Sequence, residues 1–182
     1  MMFQRIQGGS FEGIDTHEGH YYKMGFDYMI LEQRSIMTQK PRIFVADPFS
    51  RNCGWGTHTN DIDPATEAES HMDALLWLES LETEYFDYVL FDPPFSARQA
   101  TQKYESGHIN VYTDPGYVSK CFKQIGRILK PNGRVLKLGY NSSRNSRMLD
   151  LEKGWLINFG SNRNDVVMTI WRKNQSMLEA WI

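Results

Sequence analysis

The tetrapeptide Asp92-Pro93-Pro94-Phe95 is the stretch of the chain whose residue types could do chemistry. Its carboxylate accepts hydrogen bonds, its two prolines hold the neighbouring backbone rigidly, and its aromatic ring offers a flat apolar face. The aromatic and β-branched run at 86–91 predicts a buried strand that the prolines must end. Taken alone, the tetrapeptide fits a solvated Pro-Pro turn equally well. In open α/β sheets, however, ligands bind at the carboxyl ends of strands, so a binding site is the alternative.

Further acidic residues are predicted to lie at the same edge of the sheet. Runs at 43–46, 57–62 and 71–73 each predict a strand, and the aspartates at or just after their ends are Asp47, Asp61 and Asp73. A single aspartate at a strand end is common on protein surfaces. Four in register, counting the one before the two prolines, indicate a shared ligand site.

A glycine-containing loop follows the first of these strands. It carries Phe49 and the pair Gly54 and Gly56, separated by one residue. Glycines let the backbone approach a ligand closely, although this spacing alone is weak evidence for a binding loop.

The order of the remaining elements predicts the fold class. Strands are also predicted at 3–6, 86–91, 134–139, 155–159 and 166–171. Helices are predicted at 26–34, 63–70, 74–81, 114–130 and 146–151. Because β-α units alternate and an antiparallel pair ends the chain, we expect a Rossmann-like, doubly wound α/β fold. Its sheet would be mostly parallel, with a C-terminal antiparallel hairpin.

Length and composition restrict the possible classes. The 182 residues suit one domain, with 1–40 as an N-terminal extension of unclear role and 41–182 as the α/β core. A net charge of −2 argues against a generally basic nucleic-acid binder. The basic stripe on the helix at 114–130 is most simply a solvated face: Lys120, Lys123, Arg127 and Lys130. No metal-ligand spacing, signal peptide or long apolar run is evident, so we expect a cytoplasmic protein without metal or membrane association.

The stretch from about 42 to 142 resembles class I S-adenosylmethionine-dependent methyltransferases, particularly the DNA methyltransferases that act on adenine N6. The segment 47–49 with the two glycines is similar to their first cofactor motif. The segments 60–64 and 72–74 are similar to the motifs whose acids contact the ribose and the adenine of the cofactor. Asp92-Pro93-Pro94-Phe95 is similar to their catalytic motif. The first motif departs from the family's tighter spacing, because Ser50-Arg51-Asn52-Cys53 precedes its glycines.

The resemblance implies a cofactor and a set of site residues. S-adenosylmethionine would be bound by Asp47, Phe49, Gly54, Gly56, Asp61, Asp73 and Ala74. Catalysis would rest on Asp92, Pro93, Pro94 and Phe95. The implied activity is methylation of adenine N6 in DNA, and no metal is needed because the methyl donor is a sulfonium.

A long polar connection at 96–114 adjoins the same edge of the predicted sheet. Connections of this length are often functional, so we expect it to bind substrate through Ser96, Arg98, Lys103 and Tyr104. Its two basic residues would contact phosphates.

Two alternatives stay open at this point. Similar motifs occur in enzymes that methylate adenine N6 or guanine N2 in RNA, and the irregular first motif would also suit a non-catalytic methyltransferase-fold subunit. The sequence contains no separate target-recognition domain. If the substrate is DNA, target recognition would come from residues 1–40, from the connection at 96–114, from the second protomer of a homodimer or from a specificity partner.

Overall fold

The structure, a computed structural model, describes residues 3–7, 28–29, 42–94, 113–142, 146–158 and 165–174. Seven strands form one sheet: β1 (Phe3–Gln7), β2 (Val45–Asp47), β3 (His58–Thr59), β4 (Phe86–Phe91), β5 (Leu129–Gly139), β6 (Leu149–Asn158) and β7 (Val166–Lys173). Among the described residues, the helices α1 (Ala74–Ser80) and α2 (Tyr117–Ile128) flank it. Within the described segments, no helix has both the length and the apolar character needed to cross a membrane.

The strand order is β1-β6-β7-β5-β4-β2-β3, which confirms the predicted fold class. Strand β7 runs antiparallel to both β5 and β6, and every other pair of strands is parallel. The carboxyl ends of β2, β3, β4 and β5 therefore lie at one edge. The N-terminal strand pairs with β6, so part of the predicted extension belongs to the sheet.

Both faces of the central strands are covered by apolar side chains. On one face, α1 and α2 contribute Trp77, Leu78, Phe122, Ile125 and Ile128 to a core that also contains Val89 and Phe91 of β4. On the other face, Tyr88 and Leu90 pack with side chains of β5, β6 and β7 and with Met29. The hydroxyl of Tyr88 donates a hydrogen bond to the Met29 carbonyl at 2.9 Å. Of the helix predicted at 26–34, only residues 28–29 lie in the described part, and they are helical.

The helix predicted at 63–70 is wrong. Asp63 does not cap a helix: its carboxylate accepts a hydrogen bond from the Ala65 N–H at 2.9 Å and closes a turn. The chain then returns to β3, where Ser70 forms an isolated parallel bridge with Asn60. The strand predicted at 71–73 is wrong, because that bridge ends at Ser70 and residues 71–73 lie in no strand. A short segment with few apolar residues has no face to pack, so side-chain hydrogen bonds decide its path.

The helix predicted at 146–151 is also wrong. Residues 149–151 begin β6, where Leu149 pairs with Lys173 and Leu151 pairs with Trp171. Two leucines separated by one residue fit an alternating strand, and both contact the core beneath the helices. The available partner strand β7 decides the conformation.

Arg127 of α2 does not lie on a solvated face. Its guanidinium donates to the carbonyls of Leu78, Glu79 and Leu81 at 2.8–3.2 Å, and so satisfies the C-terminal carbonyls of α1. The neighbouring Lys130 pairs with Asp87 at 2.9 Å. Lys120 also pairs with an acid, Asp114, at 2.6 Å, so three of the four residues of the predicted solvated stripe have side-chain partners.

Replacing Arg127 should destabilise the fold, because several α1 carbonyls would lose a charged donor. We expect Arg127→Ala to lower the free energy of unfolding by about 1–3 kcal/mol. Lys123→Ala, an exposed change on the same helix, is the matched control and should stay within about 0.5 kcal/mol of the parent. Urea unfolding measures both. Equal effects of the two variants would contradict the capping role.

Candidate active site

Asp92 directly follows β4, the strand that lies between β2 and β5. Every residue of β4 except Asp87 is buried, and Asp92 is the first charged residue after the buried run from Tyr88 to Phe91. Asp92 itself is 6% exposed, and Pro93 and Pro94 are also buried. The predicted catalytic carboxylate is therefore held in a largely water-free position, beside a backbone that two prolines stiffen.

The glycine loop begins at Asp47, the last residue of β2. The Asp47 carboxylate accepts a hydrogen bond from the Phe49 N–H at 3.2 Å, and its side chain is fully buried. Gly56 returns the chain toward β3. A Cβ at Gly56 would lie 2.9 Å from Thr59 Cγ2 and 3.0 Å from Asp47 Cβ, so only glycine fits there. A Cβ at Gly54 would have no atom within 4 Å. The two predicted cofactor glycines thus differ: Gly56 serves packing, and Gly54 borders open space.

Asn60 fastens this loop to the segment that leads into α1. Its buried side-chain amide donates to the Pro48 carbonyl at 3.2 Å and to the Met72 carbonyl at 3.0 Å. Its side-chain oxygen accepts from the Met72 N–H at 3.0 Å. The sequence motif indicated this region, but the organising role of the asparagine became apparent only from the structure.

Asp61 holds two turns of backbone together. Its carboxylate accepts hydrogen bonds from the N–H groups of Arg51, at 3.1 Å, and Asp63, at 2.9 Å. Burial raises the pKa of Asp61 above its usual value, although both N–H groups and the Arg51 charge favour the ionised form. The residue implied to bind the ribose therefore also organises the loop around it.

Asp73 is the N-cap of α1 rather than the end of a strand. Its Oδ1 accepts from the N–H groups of Leu75 and Leu76 at 2.9 and 3.3 Å, and from the Tyr117 hydroxyl at 2.9 Å. Burial raises the pKa of Tyr117, which keeps its hydroxyl a neutral donor. Ala74, the first helical residue, is buried in the core. An aspartate before an apolar helical run is an N-cap signal, so this geometry was readable from the sequence.

Three phenylalanine rings connect the loop, the strand and the second helix. The rings of Phe49 and Phe91 are 5.4 Å apart, those of Phe91 and Phe122 are 5.0 Å apart, and both pairs pack edge to face. Phe49, which was expected at the cofactor, is a core residue that anchors the loop against β4.

Two further side chains lie near this edge and were not predicted. Lys137 of β5 is buried, and Tyr140 just beyond β5 is exposed. Lys137 was detectable in principle, because it interrupts an apolar strand that is covered on both faces.

The other predicted site residues lie outside the described part of the chain. These are Phe95, Ser96, Arg98, Lys103 and Tyr104. Among the residues that are described, no three His, Cys, Asp or Glu side chains are grouped so as to hold a metal ion.

Solved structures share this architecture at low sequence identity. A candidate methylase from Haemophilus influenzae matches with a TM-score of 0.52 and 13% identity, over 84% of this chain and 98% of its own. The candidate methyltransferase yhhF from Escherichia coli matches with a TM-score of 0.54 and 10% identity, over 93% of this chain and 97% of its own. A candidate class I S-adenosylmethionine-dependent methyltransferase from Listeria monocytogenes matches with a TM-score of 0.54 and 16% identity, over 90% of this chain and 64% of its own. No protein-family model matches the sequence, and curated protein sequences give no significant match.

The chain has the class I methyltransferase fold. At these identities the likeness concerns architecture alone, and the chemistry depends on the residues at the strand ends. In this chain the acidic residues at that edge are Asp47 at the end of β2, Asp61 after β3, Asp73 before α1 and Asp92 after β4.

The residues present fit S-adenosylmethionine, the cofactor that this fold implies. Carboxylates suit its hydroxyl and amino groups, which are donors, and its positive sulfonium. Met72 and Leu76, on either side of Asp73 in the sequence, are 41% and 56% exposed and offer apolar surface for an adenine ring. The open space at Gly54 leaves room on the loop side.

The two glycines provide a paired test. Gly56→Ala should destabilise the fold by about 1–3 kcal/mol, because the added Cβ collides with β2 and β3. Gly54→Leu should leave stability unchanged and weaken S-adenosylmethionine binding about tenfold, or about 1.4 kcal/mol, by filling cofactor space. Thermal unfolding and calorimetry separate the two effects. A Gly54→Leu variant with the parent's affinity would place the cofactor elsewhere.

Asp61→Ala should lower the stability of the fold as well as the affinity for S-adenosylmethionine. Removing the carboxylate leaves the partly buried N–H groups of Arg51 and Asp63 without this acceptor, at a cost of about 1–3 kcal/mol in the free energy of unfolding. Asp63→Ala, which loses only the turn bond to Ala65, is the control. Weaker cofactor binding with unchanged unfolding would mean that Asp61 contacts the ligand without organising the loop.

Proposed function

We propose that this chain transfers a methyl group from S-adenosylmethionine to the exocyclic N6 amino group of adenine in DNA. The observation that carries the proposal is Asp92-Pro93-Pro94, buried at the carboxyl end of β4 on a class I methyltransferase fold. The structures that share this fold belong to candidate methylases and methyltransferases, which supports the reaction class. The choice of adenine in DNA rests on the resemblance of the sequence motifs.

An exocyclic amino group of a nucleobase needs help to act as a nucleophile, because its lone pair is delocalised into the ring. The Asp92 carboxylate and the Pro93 carbonyl can each accept a hydrogen bond from one N–H group of this amine. When both hydrogen bonds form, tetrahedral geometry at the nitrogen is favoured, and the lone pair is localised toward the methyl donor. The acceptors act by position and charge, so they must be fixed before the substrate arrives.

The surroundings of Asp92 suit this task. Burial strengthens the hydrogen bonds that the carboxylate makes, because few water molecules compete for it. The prolines restrict the backbone that carries the Pro93 carbonyl. S-adenosylmethionine would supply an electrophilic methyl group on its sulfonium, and the acids at the ends of β2 and β3 and before α1 would hold it beside Asp92.

The substrate base has to enter the site from a single strand or be flipped out of a duplex. Exposed Tyr140, at the same edge, offers a face on which a base could stack, in addition to the predicted role of Phe95. The chain carries a net charge of −2, so phosphate contacts have to be local. Arg98 and Lys103 remain the proposed contacts, together with Ser96 and Tyr104.

Removing the carboxylate should abolish turnover while leaving cofactor binding nearly intact. We expect Asp92→Ala to lower kcat by at least about 10²–10³-fold, by analogy with the loss of one oxyanion-hole donor. Asp150→Ala removes an exposed acid of β6 and is the control. Radiolabelled methyl transfer measures turnover, and calorimetry measures cofactor affinity. A folded Asp92→Ala variant that methylates within a few-fold of the parent would contradict the proposal.

Digestion of treated nucleic acid to nucleosides, followed by mass spectrometry, tests the substrate. Unmodified DNA and RNA are incubated with the chain and S-adenosylmethionine in parallel. N6-methyladenine in DNA supports the proposal. Modified adenine or N2-methylguanine confined to RNA would replace DNA with RNA, and a chain that binds no cofactor would be a non-catalytic subunit.

A further inference from the structure

Tyr117 places a buried hydroxyl at the start of α1, although it belongs to α2. It is the first residue of α2, it is 3% exposed, and its ring packs in the core that both helices cover. Its hydroxyl donates a hydrogen bond to Asp73 Oδ1 at 2.9 Å and accepts one from the Leu75 N–H at 3.1 Å. A phenylalanine ring would fill the same space, and a buried hydroxyl is costly unless it is hydrogen-bonded. The two bonds to the start of α1 therefore account for a tyrosine at this position.

The hydrogen bonds at the start of α1 converge on one oxygen of Asp73. Its Oδ1 accepts from the N–H groups of Leu75 and Leu76, at 2.9 and 3.3 Å, as well as from the Tyr117 hydroxyl. An ionised carboxylate offers about two lone-pair sites at each oxygen, so these three donors use the capacity of Oδ1. A donor on a ligand would therefore meet Oδ2. The two N–H groups cap the helix, and the hydroxyl, which approaches from α2, restricts rotation of the carboxylate.

Helix α2 fastens α1 at both ends. Tyr117, at the start of α2, binds the N-cap of α1, and Arg127, in the last turn of α2, donates to the carbonyls at the C-terminal end of α1. Helix α1 has only seven residues, a length at which a helix depends on its packing partners. The position of Asp73 at the edge of the sheet is therefore set by α2.

We infer that Tyr117 is a positioning residue for Asp73, whose carboxylate it orients to accept a hydrogen bond from the adenine amino group of S-adenosylmethionine. This inference rests on the proposed function and names a residue that acts through Asp73. The acid is half-buried, and Met72 and Leu76, on either side of it in the sequence, expose apolar surface. An apolar surface with a carboxylate beside it suits adenine, which has a flat ring and an amino group that donates.

Calorimetry with two cofactor-like probes tests the positioning role. The probes are S-adenosylhomocysteine and S-inosylhomocysteine, in which a carbonyl oxygen replaces the adenine amino group. The parent should bind the first at least about tenfold more tightly, because the second presents an acceptor to a carboxylate. Tyr117→Phe removes only the hydroxyl. It should reduce this preference about 3–10-fold, by weakening the binding of S-adenosylhomocysteine.

Tyr88→Phe is the matched control. It also removes a buried tyrosine hydroxyl, the one that donates to the Met29 carbonyl on the other face of the sheet. Thermal unfolding should show a loss of stability in both variants, since each loses a buried hydrogen bond. Tyr88→Phe should nevertheless keep the parent's preference between the two probes, so a general loss of stability and a loss of positioning are told apart.

A double-mutant cycle tests whether Tyr117 acts through Asp73. Asp73→Ser keeps an N-cap hydroxyl but has no second oxygen for the ligand, so it should lose the preference. In that background Tyr117→Phe should change the preference no further. A folded Tyr117→Phe variant with the parent's preference, or an equal loss in the Asp73→Ser background, would overturn the inference. A parent that shows the preference but transfers no methyl group to DNA would overturn the proposed function alone.

Discussion

The parallel pairing of β4 with β2 on one side and β5 on the other is the constraint on which the candidate site depends. An interior strand covered on both faces has room for polar side chains only at its ends. The same pairing brings the carboxyl ends of β2, β3, β4 and β5 to one edge of the sheet. Strands β2 and β4 therefore consist mostly of apolar residues, with an aspartate at or just after the carboxyl end. Lys137, a buried lysine within β5, is an exception to this pattern.

The loops at this edge have little secondary structure of their own, so buried polar side chains hold them. Asn60 fastens the glycine loop to the segment before α1, Asp61 joins two turns, and Asp73 caps the helix. The two acids, Asp61 and Asp73, make structural hydrogen bonds that leave further oxygen lone pairs for a ligand. The same side-chain oxygens accept hydrogen bonds from backbone N–H groups and hold the loops rigidly, as a binding site requires. Burial of a charge, as at Asp61, is the cost of this arrangement.

The parts of the fold that could be predicted are those where a single physical signal dominates. The apolar run of β4 followed by two prolines predicts a buried strand that ends at the prolines, and the amphipathic pattern of α2 predicts a helix. The segment after Asp63 was misread because an aspartate before a proline starts a helix or a turn equally well, and neighbouring side chains decided. Residues 149–151 became a strand because β7 offered a partner. The contacts of Arg127 are with the carbonyls at the end of α1, an element distant in sequence, so no local pattern could reveal them.

The pairing of β1 with β6 has a consequence for how the chain assembles during synthesis. Phe3 lies opposite Gly154, and Gln7 lies opposite Asn158, so the partners are about 150 residues apart. A ribosome adds roughly 5–20 residues per second, so β1 must wait on the order of ten seconds for its partner to emerge. The core strands β2, β4 and β5 are available earlier. The N-terminal strand is therefore expected to join a sheet that has already begun to form, and a nascent chain halted before β6 would leave it unpaired.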